Sequence, residues 1–176
     1  MKKLHISGLV AAAFLAFVSM SASASDGTIT FSGSISDASC TIAVNNGGAV
    51  TMPPVSATTL ASTGATAGGS PITVELTDAG GGKCTGAAKL AFDGGDIDYV
   101  TGNLKNTAVT DAASNVQIQL VNADDTAIKL GDQSTVKGSS IVGNKASLQY
   151  KAKYISTGAV TAGAVQSTVT YSVAYN

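Results

Sequence analysis

Apolar residues recur at every second position in several separate stretches of the chain. A period of two places successive apolar side chains on one face of a β-strand, whereas an amphipathic helix needs a period near 3.6. The alternating positions are Ile29, Phe31, Gly33 and Ile35; Ile72, Val74 and Leu76; Val116, Ile118 and Leu120; Leu148, Tyr150, Ala152 and Tyr154; and Val169, Tyr171, Val173 and Tyr175. Long amphipathic helical patterns are hard to find, so the sequence predicts an all-β protein.

Short clusters of glycine, asparagine and aspartate separate these stretches, namely Asn46-Gly47-Gly48, Gly80-Gly81-Gly82, Asp93-Gly94-Gly95, Asp124-Asp125 and Gly143-Asn144. These residue types adopt the backbone conformations that tight turns require, and their spacing predicts an antiparallel β-sandwich. Met52-Pro53-Pro54 is expected to end a strand, because proline interrupts a strand's hydrogen-bond ladder. The small residues of Ala57–Ser70 predict a mobile loop, and both this stretch and Asp93–Asn103 are expected to face outward.

The first residues have the features of an export signal. Lys2 and Lys3 precede an apolar run from Leu9 to Val18, and Ala22-Ser23-Ala24 has the small-x-small pattern that signal peptidase accepts. The apolar run is shorter than the roughly 20 residues of a membrane-spanning helix. We therefore expect cleavage after Ala24 and an exported, soluble mature chain; a retained membrane anchor is the alternative.

Composition and charge narrow the functional class. About 150 mature residues are enough for a single domain with one core. Losing Lys2 and Lys3 with the signal changes the formal charge from −1 to −3, and the sequence contains no arginine. A nucleic-acid-binding protein needs a basic surface to neutralise phosphates. We therefore exclude nucleic acid as a partner.

Two cysteines, Cys40 and Cys84, lie in the expected mature chain. In an oxidising compartment an even pair is most simply a disulfide, which here closes a loop of about 44 residues. Chain-entropy arithmetic gives that cross-link about 4 kcal/mol of stabilisation. Two free thiols or half of a metal site are the alternatives, but the expected mature chain lacks the histidine and the second cysteine pair that zinc sites use.

The residues that catalysis commonly uses are scarce. The one histidine is His5, inside the segment expected to be removed, so the mature chain has no imidazole base or ligand. Asp93, Asp96 and Asp98 form an acidic cluster that superficially suggests calcium, yet it lacks the EF-hand spacing and terminal glutamate. An acidic, solvated turn is the commoner interpretation. We predict no catalytic residue, no metal site and no cofactor.

The stretch from Thr28 to Ile35 reads as an isolated strand that needs a sheet to join. Ile29, Phe31 and Ile35 lie on one face, and Gly33 interrupts that face. This stretch is either the first strand of its own sandwich or a strand that joins another molecule. The alternation of apolar residues alone does not distinguish between these two interpretations.

Several motifs occur in a fixed order along the chain. The signal peptide is followed by Gly27–Ile35 and then Cys40, and Ser114–Leu120 is followed by Ile128-Lys129-Leu130. At the other end, Gly163 is the fourteenth residue from the C-terminus and Tyr175 is penultimate. This order resembles a major subunit of type 1-like fimbriae assembled by the chaperone–usher route, in which Ser114–Leu120 is similar to the family's central strand and the last residues are similar to its C-terminal motif.

The resemblance implies an incomplete immunoglobulin-like β-sandwich that a donor strand from a neighbouring subunit completes. It divides the chain into a signal peptide (1–24), an N-terminal donor-strand extension (25–35) and a pilin domain (36–176). Ile29, Phe31 and Ile35 are then the donor side chains, and Gly33 is a notch where no side chain fits. The groove and chaperone-binding positions are Gly163, Val169, Tyr171, Val173 and Tyr175.

The resemblance also implies partners and a location. The partners are further copies and related pilins, a periplasmic chaperone and an outer-membrane usher. The product is a fimbria on the bacterial surface that supports cell adhesion. Alternatives are a minor or adaptor pilin, which keeps the donor strand, and a single-domain exported carbohydrate-binding adhesin, which has no need of one.

Overall fold

The computed structural model describes Thr30, Ser32, Ile35 and residues 37–175, and the elements below lie in the compact unit that spans residues 35–176. The strands are β1 (Cys40–Val44), β2 (Thr66–Asp78), β3 (Ala87–Gly95), β4 (Ile97–Asp98), β5 (Asn103–Lys105), β6 (Val116–Asn122), β7 (Ser139–Ser140), β8 (Lys145–Ser156) and β9 (Val169–Tyr175). Short 3-10 helices span Asn45–Gly48, Ala57–Leu60 and Gln133–Thr135. In this described part, none of the helices has the length and apolar character needed to cross a membrane.

The strands form two antiparallel sheets. The larger sheet has six strands in the order β1-β2-β8-β6-β5-β4, and the smaller has three in the order β7-β3-β9. The alternating stretches found in the sequence between Ile72 and Tyr175 fall in β2, β6, β8 and β9. The prediction of an all-β, antiparallel two-sheet fold is confirmed.

The core lies between the two sheets and is closed by apolar residues from both. Leu148 and Tyr150 of β8 and Leu90 of β3 are each at most 2% exposed. The Tyr150 hydroxyl accepts the Leu90 N–H at 3.2 Å and donates to the Lys137 carbonyl at 2.8 Å. Burial raises the pKa of Tyr150. One buried phenol thus connects the larger sheet to the smaller sheet and its flanking loop.

The two cysteines form a disulfide, as predicted. Cys40, the first residue of β1, is bonded to Cys84, with the two Cα atoms 4.9 Å apart. Asp78, at the end of β2, accepts the N–H groups of Gly82 at 3.0 Å and Cys84 at 3.4 Å. The Gly82 N–H is the main reason that the pKa of Asp78 is lowered. The disulfide therefore secures the edge strand β1 to the loop that precedes β3.

Three local expectations were wrong. Ala57–Ser70 is not a mobile loop, because Leu60 is 2% exposed, anchored in an apolar cluster, and β2 already begins at Thr66. Asp93-Gly94-Gly95 is not a turn; it is the end of β3, where the register with β9 shifts by one residue. The stretch around Met52 is outside any strand, although its apolar side chains still pack inward.

The Asp93–Asn103 segment does not face outward along its whole length. Ile97 is 4% exposed and Asn103 is 6% exposed. The Asn103 amide donates to Gln117 Oε1 at 3.1 Å. The short strands β4 and β5 carry these inward-facing residues, so the acidic residues around them are set on a folded hairpin.

Candidate functional site

Strand β9 pairs with β3 on one side, and its other side has no strand partner in the described part of the chain. Leu90 of β3 lies opposite Val173, yet its N–H donates to Tyr150 instead of to β9. In an antiparallel ladder, residue pairs that exchange hydrogen bonds alternate with pairs that do not. Val173, and Tyr171 opposite Phe92, therefore turn their own N–H and C=O groups away from β3, towards what we call the free edge.

The free edge continues upstream of β9 with the same alternation. Ala164, Gln166 and Thr168 each use both backbone groups on the inner side. The bonds are Ala164 N–H to Asp111 O (2.6 Å), Ala113 N–H to Ala164 O (2.9 Å), Gln166 N–H to Asn106 Oδ1 (2.9 Å), Thr107 N–H to Gln166 O (2.8 Å), Thr168 N–H to Asp96 Oδ2 (2.7 Å) and Asp96 N–H to Thr168 O (2.9 Å). Even-numbered residues from 164 to 174 thus bond inward, and odd-numbered residues from 163 to 175 face the free edge.

The odd-numbered side chains point into the sandwich but are not fully covered. Val165, Val169, Val173 and Tyr175 are partly buried against the core, and Tyr171 is 38% exposed. The inward residues of β8, in contrast, are almost all below 10% exposure. Among the residues that the structure describes, none therefore covers the inner face of β9 as completely as the neighbouring strands cover that of β8.

A second wall faces this one across an apolar groove. It is the chain from Gly48 to Leu60, in which Val50, Met52 and Val55 are partly buried. Apart from the Thr51 carbonyl, which accepts from Ser70 Oγ at 2.8 Å, residues 49–55 make no backbone hydrogen bond within the described residues. Both walls of this structure, which we call the open groove, thus present main-chain groups without strand partners.

Two cavities lie along the open groove. The first, of about 230 Å³, has Val50, Met52 and Ser167–Val169 as its walls and apolar residues of the larger sheet as its floor. The second, of about 150 Å³, lies between Pro54–Leu60 and Val160–Val165. Met52 and Val165 pack against the apolar clusters of both regions. The open groove therefore offers successive apolar sites beside backbone groups that have no strand partner among the described residues.

The structure places the predicted groove residues along one wall. Val169, Tyr171, Val173 and Tyr175 lie at alternate positions of β9. Gly163 begins the free edge, and a Cβ atom there would lie 2.4 Å from the Ala113 nitrogen and from the Asp111 oxygen. Glycine is thus required by close packing of two backbones. The roles of these residues in binding stay predictions.

The predicted donor residues lie mostly beyond what the structure describes. Ile29, Phe31 and Gly33 are outside the described residues. Ile35 is described, is outside any strand and is fully exposed at 103% of its reference area. Sequence reasoning missed Val165, Ser167 and the entire wall formed by residues 48–60. The weak alternation of Val50 and Met52, interrupted by two prolines, was the one signal for that wall.

The acidic cluster does not converge on a cation. Asp93 accepts from Ser172 Oγ at 2.8 Å, and Asp98 accepts from Gln117 Nε2 at 2.8 Å. Asp96 bonds the Ser167–Thr168 segment, and the Thr168 N–H is the main cause of its lowered pKa. No group of three or more potential metal ligands occurs among the described residues.

Comparison with known proteins gives consistent results. Residues 52–176 match the family model described as FimA: Type-1 fimbrial protein, A. The chain is 44% identical to the F17 fimbrial protein of Escherichia coli, over 92% of this chain and 94% of that protein. It is 39% identical to the major fimbrial subunit SMF-1 of Stenotrophomonas maltophilia, over 92% of this chain and 99% of that protein.

A solved structure shares the fold. A chain from a chaperone–usher pilus structure concerned with rod uncoiling matches with a TM-score of 0.58 and 21% identity, over 86% of this chain and 96% of that one. At that identity the likeness concerns the fold, which is the incomplete immunoglobulin-like sandwich of pilus subunits. The family match, the two relatives and the open-edged sandwich agree: the chain belongs to the type-1 fimbrial protein family and is a structural subunit of a surface fimbria.

Proposed function

We propose that this subunit polymerises by β-strand addition, in which residues 25–35 of one copy lie along the open groove of the next. The observation that carries this proposal is the free edge from Gly163 to Tyr175 beside two apolar cavities. An unpaired edge next to exposed apolar side chains is a template for an added strand. A second copy of the chain is the partner that supplies one.

The sequence of the extension fits the chemistry of the groove. Ile29, Phe31 and Ile35 alternate, as do the odd-numbered positions of the free edge. Burying a large apolar side chain contributes about 1.5–3 kcal/mol, and the backbone ladder adds to this. Ile35 is fully exposed at the start of the described domain, where an apolar side chain is available to a neighbouring molecule. We therefore expect two subunits joined in this way to dissociate slowly.

The open groove also bears on how the subunit is assembled into a fimbria. A subunit with this edge exposed is prone to aggregate, so it needs a temporary strand from a periplasmic chaperone before the usher joins it to the next subunit. Residues 1–24 are the export signal, 25–35 the donor extension and 36–176 the pilin domain. We assign a shaft role that supports cell adhesion, without catalysis.

Deletion of residues 25–35 tests the proposal. Oligomers of the mature chain are separated in sodium dodecyl sulfate without boiling, alongside the deletion variant. We expect the deletion to abolish the ladder of linked subunits while leaving the Cys40–Cys84 disulfide formed. A ladder that persists in the deletion variant contradicts strand addition by this segment.

A point substitution refines the same test. Phe31→Ala removes the largest apolar side chain of the extension, so we expect release of subunits about 10–100-fold faster. Val109→Ala is the matched control, since Val109 is 96% exposed and outside the open groove. Equal release rates for the two variants would count against Phe31 as a donor residue.

A further inference from the structure

In the middle of the free edge, the segment that hydrogen-bonds to its inner side changes from one part of the chain to another. Up to Gln166 the edge is held by residues 106–113, and from Val169 it is held by β3. Thr168 lies between these two supports and bonds to Asp96. Its N–H and its hydroxyl donate to Asp96 Oδ2 at 2.7 and 2.9 Å, and its carbonyl accepts the Asp96 N–H at 2.9 Å. A single residue therefore bridges the junction.

The same carboxylate oxygen also accepts hydrogen bonds from two hydroxyl groups that lie close to Thr168. Ser167 Oγ lies 3.4 Å from it and Thr107 Oγ1 lies 3.3 Å from it. Gly95 precedes Asp96 with a φ of 104°, and a Cβ atom there would lie 2.4 Å from the Thr168 carbonyl oxygen. The two chains are thus packed backbone against backbone, and the position of Thr168 follows that of Asp96.

The residues on either side of Thr168 form part of the open groove. Ser167 and Val169 line the cavity of about 230 Å³, and both turn their backbone groups to the free edge. We propose that Asp96 is a positioning residue for strand addition: its carboxylate fixes Thr168, and so sets where the groove receives the middle of the added strand. This assignment rests on the proposed function.

The charge of Asp96 matters because hydrogen bonds to an ionised acceptor are roughly twice as strong as those between neutral groups. The lowered pKa of Asp96 agrees with this arrangement, since the Thr168 N–H favours the ionised form. An asparagine in its place keeps the shape but loses the charge. The edge then remains a strand but is held less firmly at its centre.

Asp96→Asn and Asp93→Asn form a matched pair for the test. Each variant removes one negative charge from a carboxylate that accepts a hydrogen bond from residues 163–175. The difference is that Asp93 accepts from the Ser172 hydroxyl, which lies on the exposed face of β9. We expect detergent-resistant oligomers of Asp96→Asn to release subunits about tenfold faster than the unsubstituted chain, and those of Asp93→Asn less than about twofold faster.

A combination variant distinguishes positioning from a general loss of stability. Asp96→Asn is combined with Phe31→Ala. If Asp96 positions the groove for the added strand, the combined effect on release is smaller than the product of the two single effects. Multiplicative effects, or equal rates for Asp96→Asn and Asp93→Asn, overturn the inference. Should Asp96→Asn not be recovered folded, Thr168→Val, which removes one bond to the carboxylate, replaces it and is judged by the same criteria.

The two proposals fail in different ways. Persistence of ladders after deletion of residues 25–35 refutes strand addition itself. Loss of ladders in that deletion, together with no difference between the two aspartate variants, refutes the role of Asp96 alone.

Discussion

Proline substitutions at two adjacent positions of β9 test the two edges of this strand independently. Val173→Pro removes an N–H that faces the free edge, whereas Ser172→Pro removes one that pairs with Ala91 of β3. Proline is tolerated in edge strands where the missing N–H faces away from the sheet. We therefore expect Val173→Pro to spare the subunit and weaken strand addition, and Ser172→Pro to destabilise the subunit itself.

The magnitude follows from the bond that each variant lacks. The proline ring keeps most of the apolar surface of Val173, so the main loss is one donor. Leaving a buried carbonyl of the added strand without a partner costs about 1–3 kcal/mol, which corresponds to about 5–150-fold faster release. Ser172→Pro imposes a similar cost on the β3–β9 ladder and so lowers the free energy of unfolding.

Two measurements on purified oligomers separate these outcomes. Release is followed by the loss of ladders in detergent without boiling, and unfolding is followed by circular dichroism in guanidinium. Val173→Pro is expected to change release far more than unfolding. Equal losses of unfolding free energy in both variants would refute the alternation of inward and outward residues along the free edge.

Two further predictions concern the core and the acid response. Tyr150→Phe leaves the buried Leu90 N–H and the part-buried Lys137 carbonyl without their phenol partner, and it is expected to lower the free energy of unfolding in guanidinium by about 1–3 kcal/mol. Tyr99→Phe, at a side chain 68% exposed, serves as control and should change it little. Because the pKa of Asp96 is lowered in the folded protein, its contribution is present above about pH 4 and is lost as the pH falls through the lowered value. Release rates of the unsubstituted chain and Asp96→Asn, measured from pH 7 to pH 2, should therefore converge in acid; a constant ratio would contradict this.

The sequence pattern predicts the strands that bury one face, but it does not predict the open groove. The alternation in β8 reports burial directly, because every second residue from Ala146 to Ser156 is buried and the residues between them are not. In β6 the intervening Gln117 and Val121 are buried as well, so its alternation predicted the strand but not the burial of both faces. The edge upstream of β9 gives no such signal: Ser167 interrupts its apolar face, and its inner partners are loop residues distant in sequence. The wall around Met52 is not a strand, so the two prolines do not end one, and the apolar side chains that pack inward there carry no regular strand pattern that the sequence could reveal.

The free edge differs from the protected edges of most β-proteins. Natural sheets discourage unwanted pairing with charged residues, prolines or very short edge strands. The strands β4 and β7 are short, with two residues each, and β1 is secured at Cys40 by the disulfide. Residues 163–175 contain neither a charged residue nor a proline, although they form a long edge beside two apolar cavities. An edge of this composition is a hazard for a solitary subunit. It is, however, the surface that the proposed strand addition needs, because the odd-numbered residues from 163 to 175 turn their main-chain groups outward and have no strand partner in the described part of the chain.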